Sequence, residues 1–462
     1  MSKKTFNAVY IIAAAAVLGV AIPADRSLAQ LGLPQVPGGI RDLPTDIDRR
    51  VRTRAERAAE KASEEAARAV ETAPEVIDEA SDTVDGAAGQ IASAIGAVSR
   101  VFVPGIDPDG ADIEANVVVA LVDDVERESL LNLGYTIISE RELGGLGRTM
   151  LTLRQPSSIA LPDAVKDLRD RYPAAAIDYN HVYRFDEAEP VAAGIEPQIA
   201  SPDTEVSDSE STDQRLRIGI IDSAVLASHR DFSGVDIVAR DLATADGKRP
   251  LTHGTGVASL VVRSARKNVV IFSASVFFQA EGLAPGASTE ALVAALDWLA
   301  SENVDVVNMS LSGPENILLE AAVAASIERG NVIVAAVGNN GPNGEPLYPG
   351  AYNGVIGVTA VDRDRRIFRN ANRGEHVDFA ALGVNVKVAD SETGGWRIAS
   401  GTSMASPHIA VVAAHILRGS GADITALNSW LMASAEDLGR KGQDPVYGHG
   451  LITQPPLVVS GS

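Results

Sequence analysis

The sequence predicts an α/β protein: a doubly wound parallel sheet in its C-terminal half, preceded by a small α+β domain. From residue 216, near-continuous apolar runs such as LRIGIID alternate with helical patterns such as TEALVAALDWLA, which is typical of a parallel sheet covered on both faces. Residues 116–185 follow the order β-α-β-β-α-β, the split βαβ pattern. Between them, residues 186–213 are acidic and carry Pro and Ser, which predicts a disordered, protease-accessible linker.

The N-terminal residues have the layout of a secretory signal. Lys3 and Lys4 precede the apolar run 8–22, and Ser27 and Ala29 provide a small-x-small cleavage site. The run is shorter than the ~20 residues that a membrane-spanning helix needs. A cleaved signal is therefore the first interpretation, and an uncleaved membrane anchor is the second. We therefore expect a secreted or periplasmic protein without a membrane contact after cleavage.

The regions that follow the signal are predicted from composition. Residues 49–72 are rich in Ala, Glu and Arg, which favours a solvated helix over a partner-binding one. Residues 73–112 contain Pro, Gly and Asp, and this composition predicts a linker. The predicted organisation is a signal peptide (1–29), a low-complexity helical and linker region (30–112), a small ferredoxin-like α+β domain (113–185), an acidic linker (186–213) and the large α/β domain (214–462).

Each element of the small domain has its own local signals. The first helix has acidic residues at its start and Gly134 at its end, and the second is opened by Pro162 and closed by Pro173. The predicted strands are NVVVALV, YTIISER, RTMLTL and AAIDYNHVYRF, and the predicted helices are DDVERESLLNLG and LPDAVKDLRDRY.

Charge and composition exclude several functions. The formal net charge of −21 makes nucleic acid an unsuitable partner, because a polyanion needs a basic surface. The absence of cysteine excludes a disulfide scaffold, a Cys nucleophile and a thiolate metal site. His408 and His415 are seven residues apart on one predicted helix, which does not fit i,i+4 metal ligands, and no metal site is predicted.

Four polar residues stand where the large domain should carry its chemistry, at the carboxyl ends of strands or the starts of helices. Asp222 ends LRIGIID, His253 opens HGTGVASL, Asn339 follows VIVAAVG, and Ser403 begins the helix MASPHIAVVAAHIL. Each residue alone is more often a turn, cap or structural residue. Together they could supply a nucleophile, a base, a carboxylate that orients the base, and an oxyanion donor.

The sequence resembles the subtilisin-like serine proteases. The matching stretches are IGIIDSA, HGTGVASL, VDVVNMSLSGP, VIVAAVGNNGP, YPGAYNGVIGVTAV and SGTSMASPHIA, over about 216–453. The resemblance implies a triad of Asp222, His253 and Ser403, with Asn339 as oxyanion donor and Thr402 supporting the oxyanion pocket. It also implies that residues 115–185 are an inhibitory propeptide whose segment YNHVYRF lies in the active site, with cleavage within 184–213. A permanent accessory domain is the alternative for this region.

The resemblance further implies which residues bind substrate and where this sequence departs from the family. The implied substrate-binding residues are Ser310, Leu311, Ser312, Gly338 and Leu347. Ser312 and Leu347 replace glycines that are common in the family, so we expect a shortened primary pocket and a preference for small residues such as Ala before the scissile bond. The edge strand that pairs with substrate is placed near Leu283–Ala287, where the match is poor.

Calcium is the one cofactor that the resemblance raises. Asp231 matches a family calcium ligand, but the loop that carries the high-affinity site in many relatives is missing, so we expect no site there. A weaker structural calcium site elsewhere stays open.

The predicted function is an exported serine endopeptidase that forms an acyl-enzyme on Ser403 and is made as an autoprocessed zymogen, acting on proteins or peptides and bound by its own propeptide. Activity is expected to rise with pH as His253 loses its proton. The alternatives are a processing protease for one partner and a catalytically inert binding module.

Overall fold

The computed structural model describes residues 101–185, 215–420 and 424–453. The predicted signal peptide, most of the region 30–112 and the acidic linker 186–213 lie outside the described residues. Within the ranges described, no helix combines the length and the apolar character needed to cross a bilayer.

The small domain follows the predicted order of strands and helices. Its main strands form an antiparallel sheet in the order β3-β4-β2-β5, with β1 added beside β2. The elements are β1 (Pro104–Ile106), β2 (Asp112–Val122), α1 (Asp124–Asn132), β3 (Thr136–Leu143), β4 (Arg148–Arg154), α2 (Leu161–Arg171) and β5 (Ala176–Tyr183). Strand β1 and the first residue of β2 lie in residues 104–112, where a linker was expected because of their Pro, Gly and Asp content.

Residues on both faces of strand β2 are buried. Val118 and Ala120 of β2 pack with Leu168 of α2 in a core of the small domain itself. The alternate residues Val119 and Leu121 belong to a second cluster that includes helices of the large domain. The period-2 alternation of a strand sends successive side chains to opposite faces, so the continuous run NVVVALV fits a strand that is covered on both sides.

The large domain is built on a seven-stranded sheet in the order β14-β13-β12-β11-β6-β8-β7, in which all neighbours are parallel. Its strands are β6 (Leu216–Asp222), β7 (Asp236–Asp241), β8 (Val269–Ser275), β11 (Val306–Met309), β12 (Val332–Ala336), β13 (Ile356–Val361) and β14 (Phe379–Leu382). Its helices are α3 (Thr252–Ser264), α4 (Thr289–Ser301), α5 (Ile317–Glu328), α6 (Ser406–Ser420) and α7 (Ile424–Ser434).

Helices cover both faces of the large sheet, as the doubly wound prediction requires. Val257 of α3 and Ile409 of α6 pack in one apolar cluster, whereas Leu292 of α4 and Leu318 of α5 pack in another on the opposite face. Strand β6 lies between β8 and β11, so the order of connections reverses beside it. Ligand-binding crevices of such sheets lie at the carboxyl ends of the strands next to this reversal.

Among the residues described, four short strands of the large domain lie outside its seven-stranded sheet. They are β9 (Phe277–Phe278), β10 (Gly286–Ser288), β15 (Val386–Ala389) and β16 (Trp396–Ala399). Strands β15 and β16 form a hairpin, and β10 pairs with both β9 and β5. The sheet of the small domain therefore continues into the large domain through β5, β10 and β9.

Candidate active site

Asp222 and His253 form a buried pair at the carboxyl end of β6. Nδ1 of His253 lies 2.8 Å from Oδ1 and 3.0 Å from Oδ2 of Asp222, and both side chains are almost fully buried. The backbone N–H of Ser223 also donates to Oδ1, at 2.6 Å. The Nε2 atom of His253 is buried and has no hydrogen-bond partner among the residues described. The carboxylate therefore orients the ring and leaves Nε2 as the atom that can accept a proton.

A glycine lets helix α3 approach the end of β6 closely enough for this pair to form. A Cβ atom on Gly254 would lie 2.2 Å from the carbonyl oxygen of Ser223, which no side chain could tolerate. The N–H of Gly254 instead donates to Ser223 Oγ at 2.7 Å. The close approach of α3 to Ser223 therefore requires glycine at position 254, the first glycine of HGTGVASL.

Ser403 lies in a buried turn, Thr402–Met404, directly before α6. This turn contacts α3, the helix that carries His253. Oδ1 of Asn339 accepts hydrogen bonds from Thr402 N (3.1 Å) and Thr402 Oγ1 (3.0 Å). The structure therefore gathers the four predicted residues at one end of the sheet and links Asn339 to the residue before Ser403.

The last residues of the small domain lie beside this group as an extended strand. Val182 and Tyr183 pair with Ser288 and Ala287 of β10 on one side. On the other side, Arg184 exchanges two backbone hydrogen bonds with Ser312, each 2.9 Å long. A peptide segment held between two strand edges in this way has the geometry of β-strand addition.

Two aromatic side chains of this segment are held by the large domain, and one of them lies on His253. The ring of Phe185 stacks on the ring of His253, with centroids 4.7 Å apart and planes 10° apart. Tyr183 is fully buried, and its hydroxyl donates to the carbonyl oxygen of Pro314 at 3.0 Å. Burial raises the pKa of Tyr183 well above its usual value, so the hydroxyl stays protonated as a donor.

Comparison with known proteins identifies the large domain. Residues 213–450, just over half of the chain, match the Subtilase family. Subtilisin DY from Bacillus licheniformis is 32% identical over 251 residues, which cover 51% of this chain and 88% of that protein. Subtilisin E from Bacillus subtilis (strain 168) is 30% identical over 316 residues, 63% of this chain and 76% of that protein.

The chain belongs to the subtilase family. This subtilase is therefore a serine endopeptidase, which acts on protein or peptide substrates, and the predicted enzyme class is confirmed. Its fold is similar to that of fervidolysin from Fervidobacterium pennivorans, with a TM-score of 0.59 at 17% identity, covering 79% of this chain and 63% of that chain. That likeness concerns the fold, and it confirms the predicted α/β architecture.

Sequence reasoning missed a polar chain behind Ser403 in this subtilase. Asn308 Nδ2 donates to Ser310 Oγ at 2.9 Å, and Ser310 Oγ donates to the carbonyl oxygen of Ser403 at 2.9 Å. Ser406 Oγ lies 3.0 Å from Ser310 Oγ and, because the Ser310 proton is already used, acts as the donor. The hydroxyl of Ser310, one of the predicted substrate-binding residues, holds the backbone of the Ser403 turn. The only sequence signal for these hydrogen bonds is the presence of two polar residues, Asn308 and Ser310, in the otherwise apolar stretch VVNMS.

The other predicted substrate-binding residues of the subtilase form two pairs: Leu311 and Ser312 are neighbours in sequence, and Gly338 and Leu347 are in contact. Ser312 pairs with Arg184 through its backbone, and Leu311 is buried in the core with 1% exposure. Leu347 packs against Gly338, where an added Cβ would lie 2.4 Å from Leu347 Cδ1. Gly338 has a φ of +97°, so the position also favours glycine for its backbone conformation.

Asp231 of the subtilase, the predicted match to a calcium ligand, is engaged by protein donors. Arg263 Nη2 donates to Oδ2 at 2.7 Å, and Trp396 Nε1 donates to Oδ1 at 3.0 Å. No group of three or more His, Asp or Glu residues that could hold a metal ion occurs within the described ranges.

Proposed function

We propose that this subtilase is exported and made as a zymogen whose small domain, residues 101–185 of the structure, inhibits the active site until the chain cuts itself. The observation that carries the proposal is the position of segment 182–185, which pairs with two strand edges and stacks Phe185 on His253. The minor extracellular protease Epr from Bacillus subtilis (strain 168), which is 30% identical over 258 residues, and the apolar run 8–22 support export.

The proposed chemistry is acyl transfer through Ser403. His253 Nε2 removes the proton from Ser403 Oγ, which attacks the substrate carbonyl, and the same imidazolium then protonates the leaving amine. Water hydrolyses the acyl-enzyme by the same proton transfers. Asp222, hydrogen-bonded to His253 Nδ1, holds the ring in the tautomer that this requires and stabilises the imidazolium.

Asn339 and the N–H of Ser403 are the proposed oxyanion donors. The Oδ1 end of the Asn339 amide accepts two hydrogen bonds from Thr402, so Nδ2 is the end that can turn towards the substrate carbonyl. A donor that is fixed before the reaction stabilises the developing charge without reorganisation. Asn339 and Thr402 would therefore act as a unit.

The backbone register of the cleft suggests where the chain is cut. Arg184 pairs with Ser312 in antiparallel fashion, so a peptide that keeps this register meets Ser310 two residues later. Ser310 donates to the carbonyl oxygen of Ser403, which supports a meeting point beside the proposed nucleophile. We propose cleavage after Asp186, which lies outside the described residues and within the predicted range 184–213.

The packing of Leu347 on Gly338 supports a shallow primary pocket, since the larger side chain occupies space that glycine would leave open. We propose a preference for short side chains before the scissile bond, in keeping with Asp at position 186. The hydrogen bonds to Asp231 from Arg263 and Trp396 support the proposal that no calcium binds at that carboxylate.

The test is to express the chain without residues 1–29, as wild type and as Ser403→Ala, and to measure intact masses. We expect the wild type to be cut between residues 186 and 187 and the variant to remain whole. A fluorophosphonate probe should label the wild type and not Ser403→Ala. Identical cutting of both proteins, or a wild type that neither processes nor takes the probe, would contradict the proposal; the second result would favour the inert binding module.

A further inference from the structure

The side chain of Arg184 is bound by the catalytic domain as well as by its own domain. Its Nη1 atom donates to the carbonyl oxygens of Ala284, at 3.0 Å, and Pro285, at 2.8 Å. Its Nη2 atom donates to Asp112 Oδ2 at 2.7 Å, within the small domain. The two carbonyls remain when the small domain leaves, whereas the Asp112 carboxylate departs with it.

The surroundings of these carbonyls suit a long side chain with a cationic end. Arg184 borders a cavity of about 120 Å³, which is lined by residues of both domains and therefore opens on one side when the small domain leaves. The catalytic-domain residues that line this cavity are Phe278, Leu283, Ala284 and Gly286. An aliphatic stem can pack along such an apolar wall while its charged head reaches polar partners.

The position of Arg184 is fixed by main-chain pairing that any extended substrate could make. Its N–H and C=O both bond to Ser312, and the residue before it pairs with Ala287. A substrate bound in the same register would therefore bring its own side chain to the Ala284 and Pro285 carbonyls. A single guanidinium nitrogen carries two N–H donors and can serve both acceptors. The guanidinium is planar and more weakly hydrated than an ammonium, so it loses less on leaving water, which favours Arg over Lys.

We infer that the cleft contains a subsite for a cationic side chain two residues before the residue at the scissile bond, formed by the carbonyls of Ala284 and Pro285. The substrates are then peptides with Arg, and less strongly Lys, at that position. This inference rests on the proposed function, since it takes segment 182–185 as occupying the path of a substrate.

The experiment uses the processed enzyme and fluorogenic peptides with the sequence of residues 181–190, HVYRFDEAEP. The position of Arg184 is varied among Arg, Lys, citrulline, norleucine and Glu. We expect kcat/KM to fall in that order, with about a tenfold difference between Arg and norleucine, because charged donors form strong hydrogen bonds but this head group keeps some solvent contact. Mass spectrometry of the products establishes that every peptide is cut at the same bond.

A matched peptide separates the subsite from general attraction to an acidic protein. It carries norleucine at the Arg184 position and Pro190→Arg, so its net charge equals that of the parent peptide. We expect it to be cleaved as slowly as the norleucine peptide. Equal kcat/KM for this peptide and the parent would overturn the subsite while leaving the protease intact. Failure to cleave any peptide, together with failure of the wild type to process, would overturn the proposed function and the subsite with it.

Discussion

The hydroxyl of Thr402 fixes the orientation of the Asn339 amide. Both the N–H and Oγ1 of Thr402 donate to Asn339 Oδ1, and Thr402 is fully buried. Since an amide has one acceptor end and one donor end, occupation of the acceptor end by Thr402 determines where the donor end points. In the proposed mechanism, the contribution of Asn339 as an oxyanion donor therefore depends on Thr402.

Replacement of Thr402 by Val tests this dependence. Thr402→Val keeps the shape and the backbone donor but removes one of the two bonds to Asn339, so we expect kcat to fall about tenfold with little change in KM. Thr402→Ser retains the hydroxyl and should keep most of the activity. Steady-state kinetics on one peptide substrate measures both variants. A rise in KM at constant kcat would show instead that Thr402 contributes to ground-state binding.

The sequence could predict the residues of the site that sit in recognisable motifs, Thr402 among them, but not that Ser310 supports the Ser403 turn. Asp222, His253, Asn339 and Ser403 were predicted from strand ends and motif resemblance, and the structure gathers them. The bond between Ser310 and Ser403 joins residues 93 positions apart. No local pattern indicates such a partner, because hydrogen-bond partners of a buried hydroxyl are set by the three-dimensional packing of strand and helix.

At the scale of elements, the packing of α6 against α3 contains a histidine that has no catalytic role in the proposed mechanism. His408 Nδ1 lies 2.8 Å from Ser264 Oγ of α3, and Nε2 is buried without a partner in the ranges described. Burial of the ring, with a smaller effect of the Arg263 guanidinium, lowers the pKa of His408 to about 4. The helix that follows Ser403 is thus held by a neutral imidazole.

This histidine should make the folded protein sensitive to acid. The pKa of a histidine in an unfolded chain is about 6.5, so the stabilising contribution is complete above that pH and is lost as the pH falls towards 4. Because the residue as a whole is only partly buried, we expect a loss of about 2 kcal/mol.

The variant His408→Gln measures the contribution, in a Ser403→Ala background that prevents self-digestion. Its melting temperature should fall less between pH 7 and pH 4.5 than that of the parent. Parallel pH dependences of the two proteins would contradict the assignment. The reference protein is the Ser403→Ala chain with His408 intact.

At the scale of the whole molecule, the small domain is joined to the large one by a shared sheet and a shared core. Strand β5 pairs with β10, and one face of β2 packs among residues of the large-domain helices. The unbroken apolar run in β2 indicates that both faces are covered, since one-sided burial of an antiparallel sheet gives alternation. It does not indicate what covers the second face, because that information lies in the other domain's surface.

One glycine makes room for the small domain in the cleft, and it would make the same room for a substrate. A Cβ atom on Gly313 would lie 2.5 Å from Cδ1 of Tyr183, although the backbone of Gly313 is outside the left-handed region that requires glycine. We expect Gly313→Ala to weaken inhibition by the small domain, so that activity appears sooner after processing. It should also lower kcat/KM about tenfold for a peptide with Tyr at the position of Tyr183, because overpacking of a well-filled site is destabilising.

Two controls separate this local clash from a general distortion of the cleft. A peptide with Ala in place of Tyr should be cleaved equally well by wild type and Gly313→Ala. In the full chain, adding Tyr183→Ala to Gly313→Ala should release activity no faster than Tyr183→Ala alone, since the two residues meet at one contact and their effects should not add. Equal slowing of the Tyr and Ala peptides would show that the variant disturbs the cleft as a whole. Slower cleavage of the Tyr peptide alone would mean that the small domain and the substrate bind at the same place beside Gly313.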